Sequence, residues 1–385
     1  MFPQILLVIA GFSILVYLVN RWLWRCFVSD PQWTPAIKTS LGFLLVSLSF
    51  SVAFCFWVRP YCPEEVSRWC TWFAFVLVGV VFELIVVALF MEIARWMTWR
   101  SRPSMGPENP GRRAFLRASA GTGALTAMAA TGLALEEGRK LAVENVKVVI
   151  PGLDPRLTGF RIAQATDLHL GPILDGAFSR RVATMINALE PDVAVLTGDL
   201  VDGTVDVIGS MAMPLFSIKA RHGCFMITGN HEYYAGEMAW CQHFADGGIR
   251  PLRNEHVVIE HDGTRLVLAG VDDLAGSRGG AGGGPDVVRA LKGSPQGVPV
   301  VLLAHQPKMI HQVVGHGVAL QLSGHTHGGQ LWPFGLLVRL VQPAISGLHT
   351  FGETQLYVNQ GTGFWGPPMR QGVPAEITLI ELVPG

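Results

Sequence analysis

Long apolar runs fill the first third of the chain and are almost absent from the rest. Three of them, at 2–19, 41–58 and 69–93, are long enough to cross a bilayer, which takes roughly 20 apolar residues. A weaker fourth run at 118–135 is rich in alanine, glycine and threonine. All twelve histidines, by contrast, lie after residue 140. The sequence therefore predicts a helical membrane region joined to a soluble domain.

On this basis the chain divides into three parts. We expect three transmembrane helices in 1–100, a basic linker with a candidate fourth helix in 101–139, and a soluble domain in 140–385. Only 15% of the residues are charged, against about 25% in soluble proteins, which also favours a membrane protein. The formal net charge is zero and no patch combines basic with aromatic residues, so nucleic acid is not an expected partner.

Arginine and lysine around the apolar runs predict the orientation in the membrane. They are concentrated between the first and second runs and after the third, whereas the segment between the second and third runs has two arginines beside two glutamates. By the positive-inside rule, the first two segments face the cytoplasm. If the fourth run also crosses, the soluble domain of this multi-pass cell-membrane protein is extracytoplasmic, which is the arrangement we expect. If it does not cross, the domain stays in the cytoplasm.

The stretch GRRAFLRAS stands directly before the fourth run. With Arg112 and Arg113 followed by an apolar segment, it is similar to a twin-arginine export signal. On the motif alone, a stop-transfer flank with interfacial arginines explains it equally well.

Short aliphatic strands alternate with helical patterns from residue 141 onward. We predict strands at 160–165, 192–197, 224–228, 266–270, 300–304 and 318–322. This alternation is typical of an α/β domain with a largely parallel sheet. Two further strands, at 355–358 and 376–382, have no helix between them, so we expect the sheet to be mixed.

Five of the predicted strands are followed at once by aspartate, asparagine or histidine. The segments are DLH at 167–169, GDLVD at 198–202, GNHE at 229–232, HQP at 305–307 and GHTH at 324–327. Ligands of open α/β sheets bind beyond the carboxyl ends of the strands, so we expect these side chains to meet at one edge. In the last segment, glycine allows a tight turn that would bring the imidazoles of His325 and His327 to one point.

Seven of these side chains are candidate metal ligands, namely Asp167, His169, Asp199, Asn230, His305, His325 and His327. Such a mixed set suits divalent manganese, iron or zinc. It exceeds what one ion needs, which predicts a two-metal site with one bridging carboxylate. Two ions roughly 3.5–4 Å apart can hold a bridging hydroxide as the nucleophile of an in-line phosphoryl displacement. His231 is then free to donate a proton or a hydrogen bond to the leaving group.

The order D-x-H, G-D-x-x-D, G-N-H-E, a lone histidine and G-H-x-H resembles the calcineurin-like metallophosphoesterases, over 160–327. GHTHGGQ and the later stretch YVNQGTGFWGPPMRQGVPAEITLIEL are similar to the bacterial YkuE/YaeI branch. The resemblance implies an α/β fold, a sandwich of two mixed β-sheets flanked by helices.

The resemblance also implies how the ligands are shared. One ion would bind Asp167, His169, Asp199 and His327, and the other would bind Asp199, Asn230, His305 and His325. Asp202 and Glu232 would stand beside these ligands and orient them, or would orient His231.

Two segments outside the motifs leave alternatives open. The apolar run 331–343 is compatible with core packing, or with an apolar lip that faces the membrane or a lipid tail. Arg370, in GPPMRQG, is a candidate to bind a substrate phosphate, or an ordinary exposed arginine of a proline-rich loop.

We therefore expect a membrane-anchored phosphodiesterase or pyrophosphatase whose partners are the membrane and a phosphate ester. A lipid-linked or cell-envelope ester is the candidate substrate, because the membrane region would keep the site near the bilayer. One alternative is a cytoplasmic-facing enzyme similar to the hydrolases that split UDP-diacylglucosamine at its pyrophosphate. The other is a non-catalytic metal-binding scaffold, against which His231 argues, since a scaffold needs no leaving-group residue.

Overall fold

The computed structural model describes residues 14–58, 61–100, 110–278 and 283–385. The chain forms two compact units, Met1–Glu136 and Glu137–Gly385.

The first unit is helical. Helix α1 covers 14–24 and continues into a π-helical turn, and the helices that follow are α2 (Pro35–Val58), α3 (Glu64–Arg100) and α4 (Pro110–Gly138). By length and composition, three stretches in α2, α3 and α4 qualify as membrane spans, namely Pro35–Cys55, Glu65–Thr98 and Pro110–Gly138. The predicted second, third and fourth apolar runs lie in these helices. The predicted first run falls mostly outside the described residues.

Charged contacts join the helix ends within this unit. Nη2 of Arg25, just after α1, lies 2.9 Å from Oε1 of Glu92 in the last part of α3. Nη1 of Arg95, also on α3, lies 3.3 Å from Oδ2 of Asp30. Near the start of α4, Arg117 donates to the carbonyls of Pro31 and Gln32. The turn after α1, the last part of α3 and the first part of α4 thus lie on the same side of the helical unit.

The second unit contains two six-stranded sheets. In the first sheet the strands are β1 (Leu141–Ile150), β2 (Arg161–Ala165), β3 (Val193–Leu196), β4 (Cys224–Met226), β5 (Ile249–Pro251) and β12 (Ala375–Pro384). In the second they are β6 (Glu255–His261), β7 (Thr264–Gly270), β8 (Val300–Leu303), β9 (Leu320–Ser323), β10 (Gly347–Phe351) and β11 (Thr354–Val358). The first sheet has the order β1-β12-β2-β3-β4-β5 and the second the order β10-β11-β9-β8-β7-β6.

Each sheet combines parallel and antiparallel pairs. Strands β2 to β5 are mutually parallel, and so are β7, β8, β9 and β11, while β12 runs antiparallel to β2 and β6 to β7. The sandwich of two mixed sheets flanked by helices, which the resemblance implied, is confirmed. The mixed, largely parallel pairing predicted from the strand–helix alternation is present in each sheet, but the strands form two sheets and not one.

Helices α5 (Gly176–Ala188), α6 (Val205–Ala212) and α8 (Glu237–Asp246) pack on the outer face of the first sheet, and α9 (Val287–Leu291) and α10 (Ile310–Val313) on that of the second. Two short helices, α7 (Asn230–Ala235) and α11 (Phe334–Val338), lie in the loops after β4 and β9. Helix α5 begins where the Asp175 carboxylate accepts from the backbone N–H of Ala177 at 2.9 Å, as an N-cap does.

Alternation of side chains along the strands creates three buried layers. On β3, Val193 and Val195 pack between the two sheets, whereas Ala194 and Leu196 pack under the helices of the first sheet. On β8, Val301 packs between the sheets, and Val300 faces the helices of the second sheet. Because successive strand residues point to opposite faces, an aliphatic strand can serve both layers.

Candidate metal centre

The carboxyl ends of strands from both sheets meet at one edge of the sandwich. Loops after β2, β3 and β4 arrive from the first sheet, and loops after β8 and β9 arrive from the second. They deliver, in that order, Asp167 and His169, Asp199, Asn230, His305, and His325 with His327. The structure thus brings these side chains together at one edge, as expected from the sequence.

Three residues form a first candidate ligand group. The ligand atoms of Asp167, His169 and His327 all lie within 4.8 Å of one another. Two imidazole nitrogens face each other, with Nε2 of His169 3.0 Å from Nε2 of His327, and the latter is 3.5 Å from Oδ1 of Asp167. All three side chains are buried, so the group is shielded from bulk water.

A second group of three lies beside the first. It consists of Asp199, His305 and His325, again with ligand atoms within 4.8 Å of one another. Nε2 of His305 is 3.1 Å from Oδ2 of Asp199. The backbone N–H of His325 donates to the Asp167 carboxylate at 2.9–3.0 Å, which ties this group to the first.

His325 and His327 therefore serve two different groups. The expectation that both imidazoles turn to one point is wrong. Both residues have left-handed backbone, with φ of 71° and 49°, and Thr326 separates them. The tight turn directs one ring to Asp199 and the other to Asp167.

The donor set fits divalent cations. Oδ1 of Asn230 is buried and makes no hydrogen bond within the described part of the chain. A buried polar atom left without a partner costs about 1–3 kcal/mol, which coordination of a cation would offset. Asn230 is also the residue that the resemblance assigns to the second ion.

Backbone strain is concentrated on the candidate ligands. Among the described residues, ten other than glycine have positive φ, and half of them are candidate ligands, namely Asp167, His169, Asp199, His325 and His327, with φ between 48° and 71°. Such conformations cost of order 1–3 kcal/mol each and cluster at functional sites. They aim short side chains at one edge of the sandwich.

Two glycines allow the loops to approach closely. A Cβ atom at Gly229 would collide with the carboxylate and backbone nitrogen of Asp199, and one at Gly324 would collide with the carboxylate of Asp167. These positions require glycine because a side chain would displace a ligand.

Asp202 orients two imidazoles with one oxygen. Its Oδ1 lies 2.8 Å from Nδ1 of His169 and 2.7 Å from Nδ1 of His231. On the other side of the centre, the carbonyl of Thr197 is 2.8 Å from Nδ1 of His305. Partners on Nδ1 leave Nε2 of His169 and His305 to face the centre, as in many metal sites.

Glu232 holds the loops that carry the ligands. Its buried carboxylate accepts from the N–H of Gly229 at 2.6 Å, of Leu200 at 2.7 Å and of Asp199 at 3.0 Å. Burial and the charge of Asp199 raise the pKa of Glu232 to about 7. The N–H donors favour the ionised form and so limit this increase.

His231 lies at the open side of the centre. Its side chain is 18% exposed, its Nε2 is 4.0 Å from Oδ2 of Asp199, and its ring centroid is 6.4 Å from that of Trp365. With Nδ1 held by Asp202, Nε2 is the atom that can reach a bound molecule.

The charges of Asp199 and His305 stabilise each other. Burial opposes ionisation of Asp199, but the imidazole of His305 outweighs it and holds the pKa of the carboxyl well below its usual range. Burial likewise opposes protonation of His305, and the carboxylates of Asp199 and Asp167 raise its pKa well above the ordinary value. A cation that binds here would replace the proton as the partner of Asp199.

Arg370 is fully buried, so the expectation of an exposed loop arginine is wrong. Its guanidinium donates to four backbone carbonyls, those of Gln360, Gly361, Gly363 and Val373. Nη2 also lies 3.5 Å from Nδ1 of His327. With its donors used in this way, Arg370 holds the loop behind His327, and binding of a substrate phosphate by Arg370 stays a prediction that this geometry does not favour.

Two residues that support the centre were not predicted from the sequence. Oγ1 of Thr166 donates to Oδ2 of Asp167 at 2.7 Å. The Gln330 side chain donates to the carbonyls of Trp365 and Pro367 and accepts from the N–H of Trp365. Their positions beside DLH and at the end of GHTHGGQ were the available signals.

A further cluster lies away from the centre. Asp192, His222 and His261 have ligand atoms within 4.8 Å of one another, and Nε2 of His222 is 3.0 Å from Nδ1 of His261. Asp192 and His222 precede β3 and β4, so they belong to the opposite edge of that sheet.

The calcineurin-like phosphoesterase family matches residues 160–329. A transmembrane protein with metallophosphoesterase domain from Bos taurus is 32% identical to this chain, over 96% of this chain and 87% of the relative. A protein of the same description from Danio rerio is 40% identical, over 62% of this chain and 57% of its own length. The uncharacterized metallophosphoesterase YkuE of Bacillus subtilis is 31% identical, over 70% of this chain and 97% of its own length.

Proposed function

This chain belongs to the calcineurin-like metallophosphoesterases, and from that premise we propose that it is a membrane-anchored phosphodiesterase or pyrophosphatase that uses two divalent metal ions. The predicted family and the predicted class, a hydrolase of phosphate esters, are confirmed. The number of ions, the type of ester and the roles of individual residues belong to the proposal.

The observation that carries the proposal is the pair of adjacent ligand groups around Asp167 and Asp199. Backbone hydrogen bonds join their loops, from the N–H of Asp167 to the carbonyl of Gly198 at 2.9 Å and from that of His169 to the carbonyl of Asp199 at 3.1 Å. A mononuclear site needs no second pair of histidines with its own aspartate. The aspartate, asparagine and histidine donors suit manganese, iron or zinc.

The chain's own residues would position the ester and assist its leaving group. When bound, two divalent ions supply the nucleophile and neutralise the charge that develops in an in-line phosphoryl displacement. Nε2 of His231 would donate a proton or a hydrogen bond to the leaving-group oxygen. Asp202 keeps the His231 ring in the required orientation through Nδ1. This leaving-group role favours an enzyme over a metal-binding scaffold.

We further propose that the metal centre lies on the extracytoplasmic side and acts on a lipid-linked or envelope ester. The contacts of Arg25, Arg95 and Arg117 support one shared side for the arginine-rich segments, which the positive-inside rule makes cytoplasmic. Helix α4 is long and apolar enough to cross after them. The twin-arginine-like pair Arg112 and Arg113 lies at its start. A reporter fused after Gly385 that works only in the cytoplasm would contradict this sidedness and favour the UDP-diacylglucosamine-type alternative.

The catalytic part is tested by hydrolysis with the full chain in detergent, loaded with manganese. A chromogenic phosphodiester, the matching monoester and inorganic pyrophosphate are compared for wild type, Asp199→Asn and the exposed control Asp206→Asn. We expect the wild type and the control to cleave the diester or pyrophosphate and Asp199→Asn to be inactive. Equal rates for Asp199→Asn and wild type would contradict the proposed centre.

A further inference from the structure

Large apolar side chains are exposed together in one short segment of the second unit. Six of them fall within 332–341, a segment that we name the apolar lip, namely Trp332, Phe334, Leu336, Leu337, Leu340 and Val341. Leu340 is 80% and Val341 70% exposed. Outside this segment, exposed large apolar residues of the described second unit occur at most two to any ten residues. The run that the sequence left open between core and lip is therefore largely a surface element.

The apolar lip adjoins the loop that carries His327. It begins five residues after His327, and at its far end the Thr326 hydroxyl donates to the carbonyl of Ile345 at 2.7 Å. Between the lip and the loop at 371–373 lies a groove of about 550 Å³, whose lining includes Gly328, Leu336 and Arg339. The groove thus borders Gly328, the residue that follows the ligand His327.

The charge along the sequence of the apolar lip suits an anionic surface. No aspartate or glutamate occurs between residues 324 and 352, and Arg339 within the lip is exposed. Lys308 is also exposed. It lies near the apolar lip, because its backbone N–H donates to Oε1 of Gln342 at 3.1 Å. Apolar side chains flanked by basic ones are typical of segments that lie in the interface of a bilayer with acidic lipids.

We infer that the apolar lip inserts into the bilayer interface and that the metal centre takes a phosphate ester embedded in the bilayer. The candidate membrane spans of the same chain keep the bilayer at high local concentration, which favours lipid over any other apolar partner. The choice of ester rests on the proposed function, whereas insertion of the lip does not.

Insertion is tested by fluorescence of the full chain in vesicles of phosphatidylcholine and phosphatidylglycerol. Subtracting the emission of Trp332→Phe from that of wild type isolates Trp332 from the other tryptophans. We expect this difference signal to be quenched by lipids with brominated acyl chains and to lose that quenching in Leu337→Glu/Leu340→Glu. The control Val207→Glu/Val288→Glu changes exposed valines elsewhere in the second unit. In this control the quenching of the Trp332 signal should be unchanged. An unquenched Trp332 in wild type, including one covered by a second copy or another protein, would overturn insertion.

The substrate class is tested with one chromogenic diester in two forms, one soluble and one carrying a long acyl chain within the vesicles. We expect Leu337→Glu/Leu340→Glu to lower the ratio of lipid-borne to soluble hydrolysis by about tenfold or more. An unchanged ratio would overturn the bilayer-embedded substrate. If wild type cleaves neither form, the proposed function fails, while the quenching still decides whether the lip inserts.

Discussion

Oδ1 of Asp202 lies 2.7 Å from Nδ1 of His231, and the same oxygen lies 2.8 Å from Nδ1 of His169. One carboxylate thus couples a candidate metal ligand to the residue that would meet the leaving group. Burial opposes the charge of Asp202, but the two imidazoles outweigh it and hold the pKa of this carboxyl below its usual range. Asp202 is therefore ionised when it orients the two rings.

Replacement of Asp202 by asparagine should lower turnover about 10–100-fold, because a neutral amide cannot hold both rings as a carboxylate does. Diester hydrolysis by the full chain measures this, with Asp206→Asn as the control. A rate equal to that of the control would show that the shared oxygen does not matter.

Replacement of His231 by alanine should leave the bound metal in place and lower turnover about 10²–10⁴-fold. The loss should be largest for esters with poor leaving groups, because these need the proton most. Metal analysis and rates for a nitrophenyl and an alkyl ester measure the two effects, with the exposed His316→Ala as control. The same loss for both esters would argue against a leaving-group role.

Replacement of the buried Arg370 by lysine should destabilise the chain by about 3 kcal/mol or more, since an ammonium cannot serve four carbonyls arranged around a guanidinium. Thermal unfolding of the second unit in the full chain measures it, and the exposed Arg265→Lys is the matched control. If Arg370→Lys unfolds at the same temperature as the control but does not cleave the ester, the result would indicate that Arg370 acts on the substrate.

Metal affinity should fall as the pH is lowered. Burial works against a charged His169, but Asp202 and the other carboxylates outweigh it and raise its pKa to about 9. The pKa of His305 is raised as well. Metals bind neutral imidazole, so below these pKa values a proton must leave first, at about tenfold in affinity per pH unit for each histidine. Manganese titration against a competing chelator measures this, and an affinity independent of pH would contradict it.

Candidate ligands could be predicted because each depends on its own short segment. DLH, GDLVD and GNHE each follow an aliphatic strand, and the carboxyl ends of parallel strands meet at one edge whatever the rest of the fold. The left-handed backbone of Asp167 and His327 could not be predicted in the same way, because residues other than glycine adopt this conformation only in a minority of positions.

The division into two sheets could not be predicted from the strand pattern. A strand buried on both faces, such as β3 or β8, has the same composition whether helices or a second sheet cover it. Strands β1 and β6 were missed because charged residues interrupt them, and β5 and β10 because neither contains a run of aliphatic residues. Only the resemblance implied the sandwich. The burial of Arg370 likewise depends on a loop that closes around it and leaves no local signal.

The most direct test of the dinuclear centre is the anomalous scattering of manganese in crystals of the full chain. The proposal predicts two anomalous peaks roughly 3.5–4 Å apart, one beside Asp167 and His327 and the other beside His305 and His325, with Asp199 between them. A single peak at this edge of the sandwich, or peaks only elsewhere in the protein, would contradict it.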